Sequence, residues 1–398
     1  MLDTKDEILG IDLDHLSARG GRLTAAEIVQ QPMVWEKVRA LTDWRQGAVA
    51  RFLTPLLALP GLRIVLTGAG SSAFIGECLA PAMLKQTGLR VDAVPTTDLV
   101  SGPERFFQEN VPTLLVSFAR SGSSPESVAA VALADQCVSQ IYHLVFTCNA
   151  DGMLYRRVQG QSNALAVLLP DETHDRAFAM TTSFTSMLLA AGLAFGVIEQ
   201  GPEAASALGA CATDLIERAL PLLQALVAER FKRVVYLGSN ELKGLAREAA
   251  LKLLELSDGQ VVALFDSPLG FRHGPKCVID ANTLVVVMLS NDPLARRYDL
   301  DLLSELRVDG RAGHVLALSA GDDLPGSEAC FQLCHAGAAS DIELALPLVV
   351  FAQLFAFLQS LALGIRPDTP SASGTVNRVV SGVTIYPLES EGAHVPRD

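Results

Sequence analysis

Short, fully apolar segments alternate with helix-like segments along most of the chain. The first series of candidate strands covers residues 63–68, 91–96, 113–118, 142–148 and 164–169. Helix-like segments lie between most of these strands, for example at 73–86 and 125–138. Apolar strands that alternate with helices are typical of a parallel sheet covered on both faces. The pattern therefore predicts an α/β fold.

The same series of strands returns about 170 residues later. The repeated strands begin at Arg233, Thr283, His314 and Phe331, matching those at Arg63, Thr113, His143 and Ala164. A near-constant offset predicts an internal duplication. We therefore expect two tandem modules, each a five-stranded parallel sheet flanked by helices in a flavodoxin-like three-layer arrangement. One continuous doubly wound sheet is the alternative.

The duplication also sets the expected domain boundaries. We expect a helical N-terminal segment over 1–50, a first module over 51–200, a second over 201–365 and an irregular C-terminal tail over 366–398 that completes the active site. Long helices over 181–198 and 203–228 would connect the two copies. A length of 398 residues independently favours two domains.

The negative net charge of the chain limits the ligands that it is expected to bind. Hydrophobic residues make up 49% of the chain, charged residues 19%, and the net charge is −13. An acidic chain without a Lys/Arg cluster is not expected to bind nucleic acid or an anionic membrane. A phosphate ligand would have to be held mainly by backbone N–H groups and hydroxyls.

The N-terminus, the apolar stretches and the cysteines indicate where in the cell the protein is expected to reside. The first ten residues are acidic and lack the apolar core of a signal peptide. The apolar stretches near 183–198 and 344–363 contain polar residues, so buried helices are expected there rather than membrane spans. The seven cysteines form no Cys-x-x-Cys pair, which argues against a metal site or a disulfide framework. We expect a cytoplasmic protein.

Two serine-rich loops follow the first and third predicted strands. Gly70-Ser71-Ser72 enters one helix, and Ser121-Gly122-Ser123-Ser124 precedes Pro125 at the start of another. Helix N-termini at the carboxyl ends of parallel strands bind anions through free N–H groups, and hydroxyls add further bonds. Simple helix capping by Ser123 or Ser124 is the structural alternative. Together the loops predict an anion cup, defined as residues 68–72 and 120–124.

A dinucleotide site is a rival interpretation of the first loop. Gly68-x-Gly70-x-x-Ala73 satisfies the nucleotide-binding fingerprint, and Asp98 could supply the acidic residue that this fingerprint needs. That reading leaves the second serine loop unexplained. The duplicated loop, residues 238–240, also lacks the fingerprint.

A charged stripe runs along an otherwise apolar helix predicted over 246–257. Glu248, Lys252 and Glu255 are spaced i, i+4 and i+7, so they lie within one narrow arc. A helix that is apolar on most sides is buried, and its charged stripe should face a cleft. A structural Glu248–Lys252 pair is the alternative. Glu255 is the better candidate for a general base.

One histidine stands out by its context. His273 follows Arg272 and precedes Gly274-Pro275 in an irregular loop, where histidines are often functional. The other histidines lack comparable neighbours, and His143 and His314 open duplicated strands and are expected to be structural.

These motifs together resemble the sugar isomerase (SIS) family in its double-module branch, especially the isomerase half of glucosamine-6-phosphate synthase. The likeness covers roughly residues 24–388, beginning with Thr24–Pro32. It implies that Ser72, Arg120, Ser121 and Ser124 surround a sugar phosphate. It also implies that Glu255 moves a proton between C1 and C2, and that His273, from a neighbouring subunit of a homodimer, assists ring opening. No metal or organic cofactor is expected.

Two departures from the synthase pattern refine this resemblance. No amidotransferase domain is expected, because Leu2 follows Met1 where that domain has its cysteine nucleophile, and Ser381 replaces an active-site lysine. Segments 178–184, 266–268 and 377–387 look instead like the tagatose-6-phosphate ketose/aldose isomerase group. That group implies conversion of galactosamine 6-phosphate to tagatose 6-phosphate and ammonia. A plain aldose–ketose isomerase, a fructosamine-phosphate deglycase and a non-catalytic sugar-phosphate sensor are the alternatives.

Overall fold

A small antiparallel sheet and four helices precede the first module in the chain. The computed structural model describes residues 3–4, 6–321, 330–380 and 382–388. The small sheet contains β1 (Asp3–Thr4), β2 (Glu7–Ile8) and β3 (Ile11–Asp12). The helices are α1 (Leu13–Ala18), α2 (Arg22–Val29), α3 (Gln31–Ala40) and α4 (Ala48–Leu57). The three short strands have no counterpart in the predicted pattern.

The first module is a parallel sheet of order β5-β4-β6-β7-β8. Its strands are β4 (Arg63–Thr67), β5 (Arg90–Ala93), β6 (Thr113–Ala119), β7 (Ile141–Thr147) and β8 (Ala164–Leu168). Its helices are α5 (Ser71–Thr87), α6 (Thr96–Ser101), α7 (Pro125–Cys137), α8 (Met153–Val158) and α9 (Thr182–Ala194).

The second module repeats the order as β10-β9-β11-β12-β13. Its strands are β9 (Arg233–Gly238), β10 (Val262–Asp266), β11 (Thr283–Met288), β12 (His314–Ser319) and β13 (Cys330–Gln332). Its helices are α10 (Pro202–Ala228), α11 (Glu241–Leu256), α12 (Pro268–Phe271), α13 (Pro293–Asp309) and α14 (Asp341–Ala362). Short 3₁₀ turns cover Pro103–Arg105, Asp171–Thr173 and Pro275–Val278.

Two separate five-stranded sheets confirm the predicted tandem α/β modules, and the alternative of one continuous sheet is wrong. The conformation of the first loop also repeats: Gly70 has φ 56° and ψ −129°, and Asn240 has φ 50° and ψ −117°. Gly68 and Gly238 share a constraint as well, since a Cβ there would lie 2.5 Å and 2.4 Å from the backbone of the next helix.

Two predicted strands differ from the observed ones. The expected strand over 91–96 ends at Ala93 as β5, because Pro95 fixes the backbone at the N-cap of α6. The strand β10 was not predicted individually. It lies at the edge of its sheet and leaves Val262 and Phe265 49% and 38% exposed, so its pattern lacks the continuous burial of the central strands.

The two modules share one hydrophobic core. Successive residues of a strand face opposite sides of the sheet: Leu66 of β4 and Tyr236 of β9 belong to the common core. Val65 and Val235, their neighbours, pack into separate outer cores. The layer between the sheets therefore contains helices from both modules, and α5 contacts α11 directly.

Among the described residues, α14 alone is long and apolar enough to cross a membrane by length and composition. Its most apolar window is 94% buried inside the protein, and α14 contacts α10 and α11. It is the buried helix that the apolar stretch at 344–363 predicts.

Gly244→Ala should destabilise the contact between α5 and α11. A Cβ at Gly244 would lie 2.7 Å from the Cys78 nitrogen and 2.8 Å from the Glu77 carbonyl carbon, and such overpacking costs about 1–3 kcal/mol. Gly209→Ala on α10 is the matched control, since nothing lies within 4 Å of its Cβ position. That change should stabilise the helix by about 0.5–1 kcal/mol. Urea unfolding measures both; equal effects would contradict the close packing.

Candidate active site

The strand order places the two serine-rich loops side by side. The chain leaves β4 toward β5 on one side and returns to β6 on the other, so β4 and β6 flank the point where the order reverses. Ligands of open α/β sheets bind at the carboxyl ends of the strands at such a point. Both halves of the anion cup follow these two strands.

The first loop delivers two buried hydroxyls. Ser71 and Ser72 open α5 and are only 4% and 5% exposed. The Ser72 Oγ lies 3.7 Å from the Met180 Sδ. No side chain caps the first turn of α5.

The second loop leaves the start of α7 open. Ser124 is the N-cap residue by position, but its Oγ donates to the Ser127 Oγ at 2.6 Å and caps no backbone N–H. Ser121 and Ser123 bond within the loop and to Met153. Capping by Ser123 or Ser124 therefore does not explain these serines. An uncapped helix N-terminus favours an anion.

The predicted charged stripe of α11 reaches the cup from the second module. The Ser71 Oγ donates to the Glu248 Oε1 at 3.1 Å, although 177 residues separate them. Lys252 Nζ lies 3.5 Å from Glu248 Oε1 and 2.5 Å from Glu255 Oε2. The stripe thus lies at the junction of the two modules, and its three side chains form one chain of contacts.

Burial and neighbouring charges shift the pKa values of Glu248 and Lys252. Glu248 is fully buried and its Oε2 has no partner in the described structure; burial raises its pKa to about 7, although Lys252 opposes the shift. Burial alone would lower the pKa of Lys252, but Glu248 and Glu255 outweigh it and raise that pKa. The Glu255 side chain is 22% exposed. It is the member of the chain that a ligand can contact.

Arg120 lies in the second loop and is bound by carbonyl groups. Its Nη1 donates to the Phe178 carbonyl at 3.0 Å and its Nη2 to the Arg378 carbonyl at 2.9 Å. Burial lowers the pKa of Arg120; Asp175 opposes this effect and Arg378 reinforces it. No ion pair joins Arg120 to a described carboxylate, although Asp175 and Glu255 both favour its charged form from a distance.

Residues 174–181, which we call the strap, overlap segment 178–184 noted in the sequence, but the contacts of Asp175 were not predicted. The Asp175 carboxylate accepts five bonds from Thr181, Thr182 and Ser183 and so fixes the start of α9. Glu27 of α2 accepts the N–H groups of Arg176 and Ala177, and burial raises its pKa to about 8. Apart from an acidic residue ahead of a Thr/Ser run, no local signal marks this arrangement.

His273 is not joined to the cup within one chain. It is exposed between α12 and the 3₁₀ turn that follows, and its imidazole makes no hydrogen bond or ion pair with the described residues. The flanking Arg272 and Lys276 both pair with Glu305 of α13, which anchors the loop. Ser381, the other departure noted in the sequence, lies outside the described residues.

The equivalent loops of the second module hold the protein's own carboxylates. Asp299 accepts from the Ser239 Oγ at 2.5 Å and the Ser290 N–H at 2.9 Å. Asp341 accepts from the Ser290 Oγ at 2.5 Å and the Asn291 N–H at 2.7 Å. Burial raises the pKa of Asp299 to about 6. The two cups have therefore diverged: two carboxylates accept bonds from the described loops of the second, whereas Ser71 is the one hydroxyl of the first cup that the described structure bonds to a carboxylate.

The described residues contain no group of three or more His, Cys, Asp or Glu side chains able to hold a metal ion. The geometry also fails the dinucleotide interpretation. That interpretation needs an acidic residue at the end of the second strand, and Asp98 lies instead in α6, five residues beyond β5.

Comparisons with known proteins show the family to which this chain belongs. The family model described as SIS domain matches residues 57–196. The D-galactosamine-6-phosphate deaminase AgaS of Escherichia coli is 47% identical over 385 residues, which cover 94% of this chain and 98% of the relative. This chain belongs to the AgaS group of SIS-domain proteins. The family resemblance drawn from the sequence is confirmed.

Solved structures agree with the membership in the AgaS group. The tagatose-6-phosphate ketose/aldose isomerase from Escherichia coli superposes with a TM-score of 0.85 at 43% identity, covering 93% of this chain and 98% of that one. The C-terminal domain of glucosamine-fructose-6-phosphate aminotransferase from Francisella tularensis gives 0.71 at 17% identity, covering 87% and 98%. The second likeness shows a shared fold alone.

Glu248→Gln should change how stability depends on pH. A carboxyl whose folded pKa is about 7 keeps its proton in the fold while the unfolded chain loses it. The wild type therefore loses stability, relative to the variant, as pH rises from about 4.5 to 7, by at most about 1.4 kcal/mol per unit. Urea unfolding across this range measures it, with the exposed Glu203→Gln as control. Parallel curves for Glu248→Gln and wild type would contradict a protonated Glu248.

Proposed function

We propose that this protein converts D-galactosamine 6-phosphate into D-tagatose 6-phosphate and ammonia. The observation that carries the proposal is the Ser71–Glu248 hydrogen bond, since it joins an anion cup to the Glu248–Lys252–Glu255 contacts. The Escherichia coli relative of the AgaS group bears the name D-galactosamine-6-phosphate deaminase and is covered almost entirely by this chain.

The phosphate would bind in the first cup. Ser71, Ser72, Ser121, Ser123 and Ser124 supply hydroxyls there, and the uncapped starts of α5 and α7 supply N–H groups. Arg120 adds a charge that the described structure leaves without a carboxylate. A site of this kind attracts a dianion even in a protein whose net charge is −13, because the nearest charges and dipoles dominate the local field.

Proton transfer would fall to Glu255. In the open-chain amino sugar, the C1 carbonyl accepts the electron pair of the C2–H bond as Glu255 takes the proton. Return of the proton to C1 gives an imine at C2, and water hydrolyses this imine to the ketose and ammonia. Glu248 is fully buried and would act by holding Ser71 and Lys252 in place. Lys252 would orient Glu255 through their ion pair.

His273 would come from a second copy of the chain. Its imidazole is exposed and makes no hydrogen bond with the described residues, and two apolar side chains that shortly precede it in the chain, Phe265 and Leu269, are 38% and 44% exposed. Exposed apolar surface of this kind supports protein association. A homodimer formed there would bring His273 to the partner's sugar ring for ring opening.

A plain ketose–aldose isomerase is the second candidate. The Escherichia coli structure at 43% identity carries the name tagatose-6-phosphate ketose/aldose isomerase, and the same Glu255 proton transfer serves an amine-free sugar. The two reactions differ in the release of ammonia.

The direct test incubates the pure protein with galactosamine, glucosamine and fructosamine 6-phosphates and with an amine-free aldose phosphate. Ammonia and ketose phosphate should appear in equal amounts from galactosamine 6-phosphate, without glutamine and unaffected by EDTA. Ketose formation from the amine-free sugar alone, with no ammonia from any amino sugar, would establish the plain isomerase. Binding without any turnover would indicate a sensor.

Glu255→Gln should retain affinity for the amino sugar phosphate and lose about 10²- to 10⁴-fold in turnover, the usual range for a general base. Glu203→Gln on the exposed face of α10 is the matched control and should remain active. Steady-state kinetics and calorimetry separate the two effects. Turnover within a few-fold of wild type would remove Glu255 from the mechanism.

Mixing two inactive variants tests the shared site. In a dimer of Glu255→Gln with His273→Ala, one site would contain both residues intact and the other neither. Ammonia release should therefore reappear on subunit exchange, at about half the wild-type rate for each mixed dimer. If verified exchange restores nothing, His273 serves its own chain or plays no part in catalysis.

A further inference from the structure

Residues 366–380 of the tail fold back onto the first module. Asp368 anchors it: its Oδ1 accepts from the Thr24 N–H at 2.8 Å and from the Thr24 Oγ1 at 2.7 Å. Its backbone carbonyl accepts the Phe178 N–H at 3.1 Å, and its own N–H donates to Gly20 at 2.7 Å. The tail is therefore bound to α2 and to the strap at once.

Ten residues later the tail touches the cup. The Arg378 Nε donates to the Asp175 carbonyl at 3.1 Å, and its Nη2 bonds to the same oxygen. The Arg378 carbonyl in turn accepts the Arg120 Nη2 at 2.9 Å. Tail, strap and second loop thus form a closed ring of hydrogen bonds in which Arg378 both donates and accepts.

This ring lies next to the Glu248–Lys252–Glu255 contacts and contains two arginines. Arg120 interacts electrostatically with both Glu255 and Lys252. Neither Arg120 nor Arg378 forms an ion pair with a described carboxylate, and the two guanidinium groups repel each other. A phosphate dianion in the cup would relieve this repulsion, so its binding and the ring should favour each other.

We propose that Arg378 is a positioning residue, which holds Arg120 and the strap against the cup and so couples closure of the tail to phosphate binding. The proposal rests on the first cup being the phosphate site of the proposed function. Arg378 touches carbonyl groups and no reacting atom, so its effect should fall on substrate affinity rather than on the chemical step.

The kinetic test compares Arg378→Ala, Arg378→Lys and Asn377→Ala. Arg378→Ala should raise KM for the amino sugar phosphate by about 10-fold or more, on the scale of a lost charged hydrogen bond, with kcat within a few-fold. A lysine reaches the Asp175 carbonyl with one bond and should restore part of the loss. The Asn377 side chain donates to the Gly374 carbonyl within the tail and bonds to no described residue of the strap or the cup, so its alanine variant should behave as wild type.

Hydrogen exchange of residues 366–380 supplies a readout that does not depend on turnover. Inorganic phosphate should slow exchange of this segment in wild type and in Asn377→Ala, and should not do so in Arg378→Ala. A fall in kcat that follows lost thermal stability, with KM and the phosphate response unchanged, would overturn the proposal. This result does not depend on ammonia release, because inorganic phosphate is the probe.

Discussion

The contact between α5 and α11 is the constraint on which the rest of the site depends. The two helices pack closely enough that Gly244 has no room for a Cβ beside Cys78, and the shared core holds both sheets around them. That packing brings Ser71 of one module within 3.1 Å of Glu248 of the other. Neither module alone contains both the anion cup and the charged stripe, so the site exists only in the fused pair.

The charged side chains of α11 have two roles: Glu248 and Lys252 are buried contacts, and Glu255 remains accessible. Lys252 is 1% exposed, and a lone ammonium group in such a position would be costly. Two carboxylates flank it, one fully buried against Ser71 and one partly exposed toward the cup. This arrangement fixes Glu255 while leaving it accessible. The second module shows the alternative outcome, because Asp299 and Asp341 accept the hydrogen bonds of Ser239, Ser290 and Asn291 in its described loops.

Local sequence patterns predicted the modules, the two serine loops and the Glu248–Lys252–Glu255 stripe, because each depends on short-range periodicity or on the turn that ends a strand. Glu27, Asp175 and Arg378 were not predicted as site residues. Their partners lie up to 258 residues away in the chain, and no spacing rule encodes such contacts. The role of His273 stays a prediction, since the single chain does not bring it to the cup.

The central claim is that the phosphate binds in the first cup with the sugar carbon chain directed at Glu255. A crystal structure with a hexitol 6-phosphate tests it most directly, because this open-chain analogue has no carbonyl and cannot react. The account predicts the phosphate between Ser71-Ser72 and Ser121–Ser124, and C1 and C2 within hydrogen-bonding reach of the Glu255 carboxylate. A phosphate bound at the second-module loops, or a carbon chain directed away from Glu255, would contradict it.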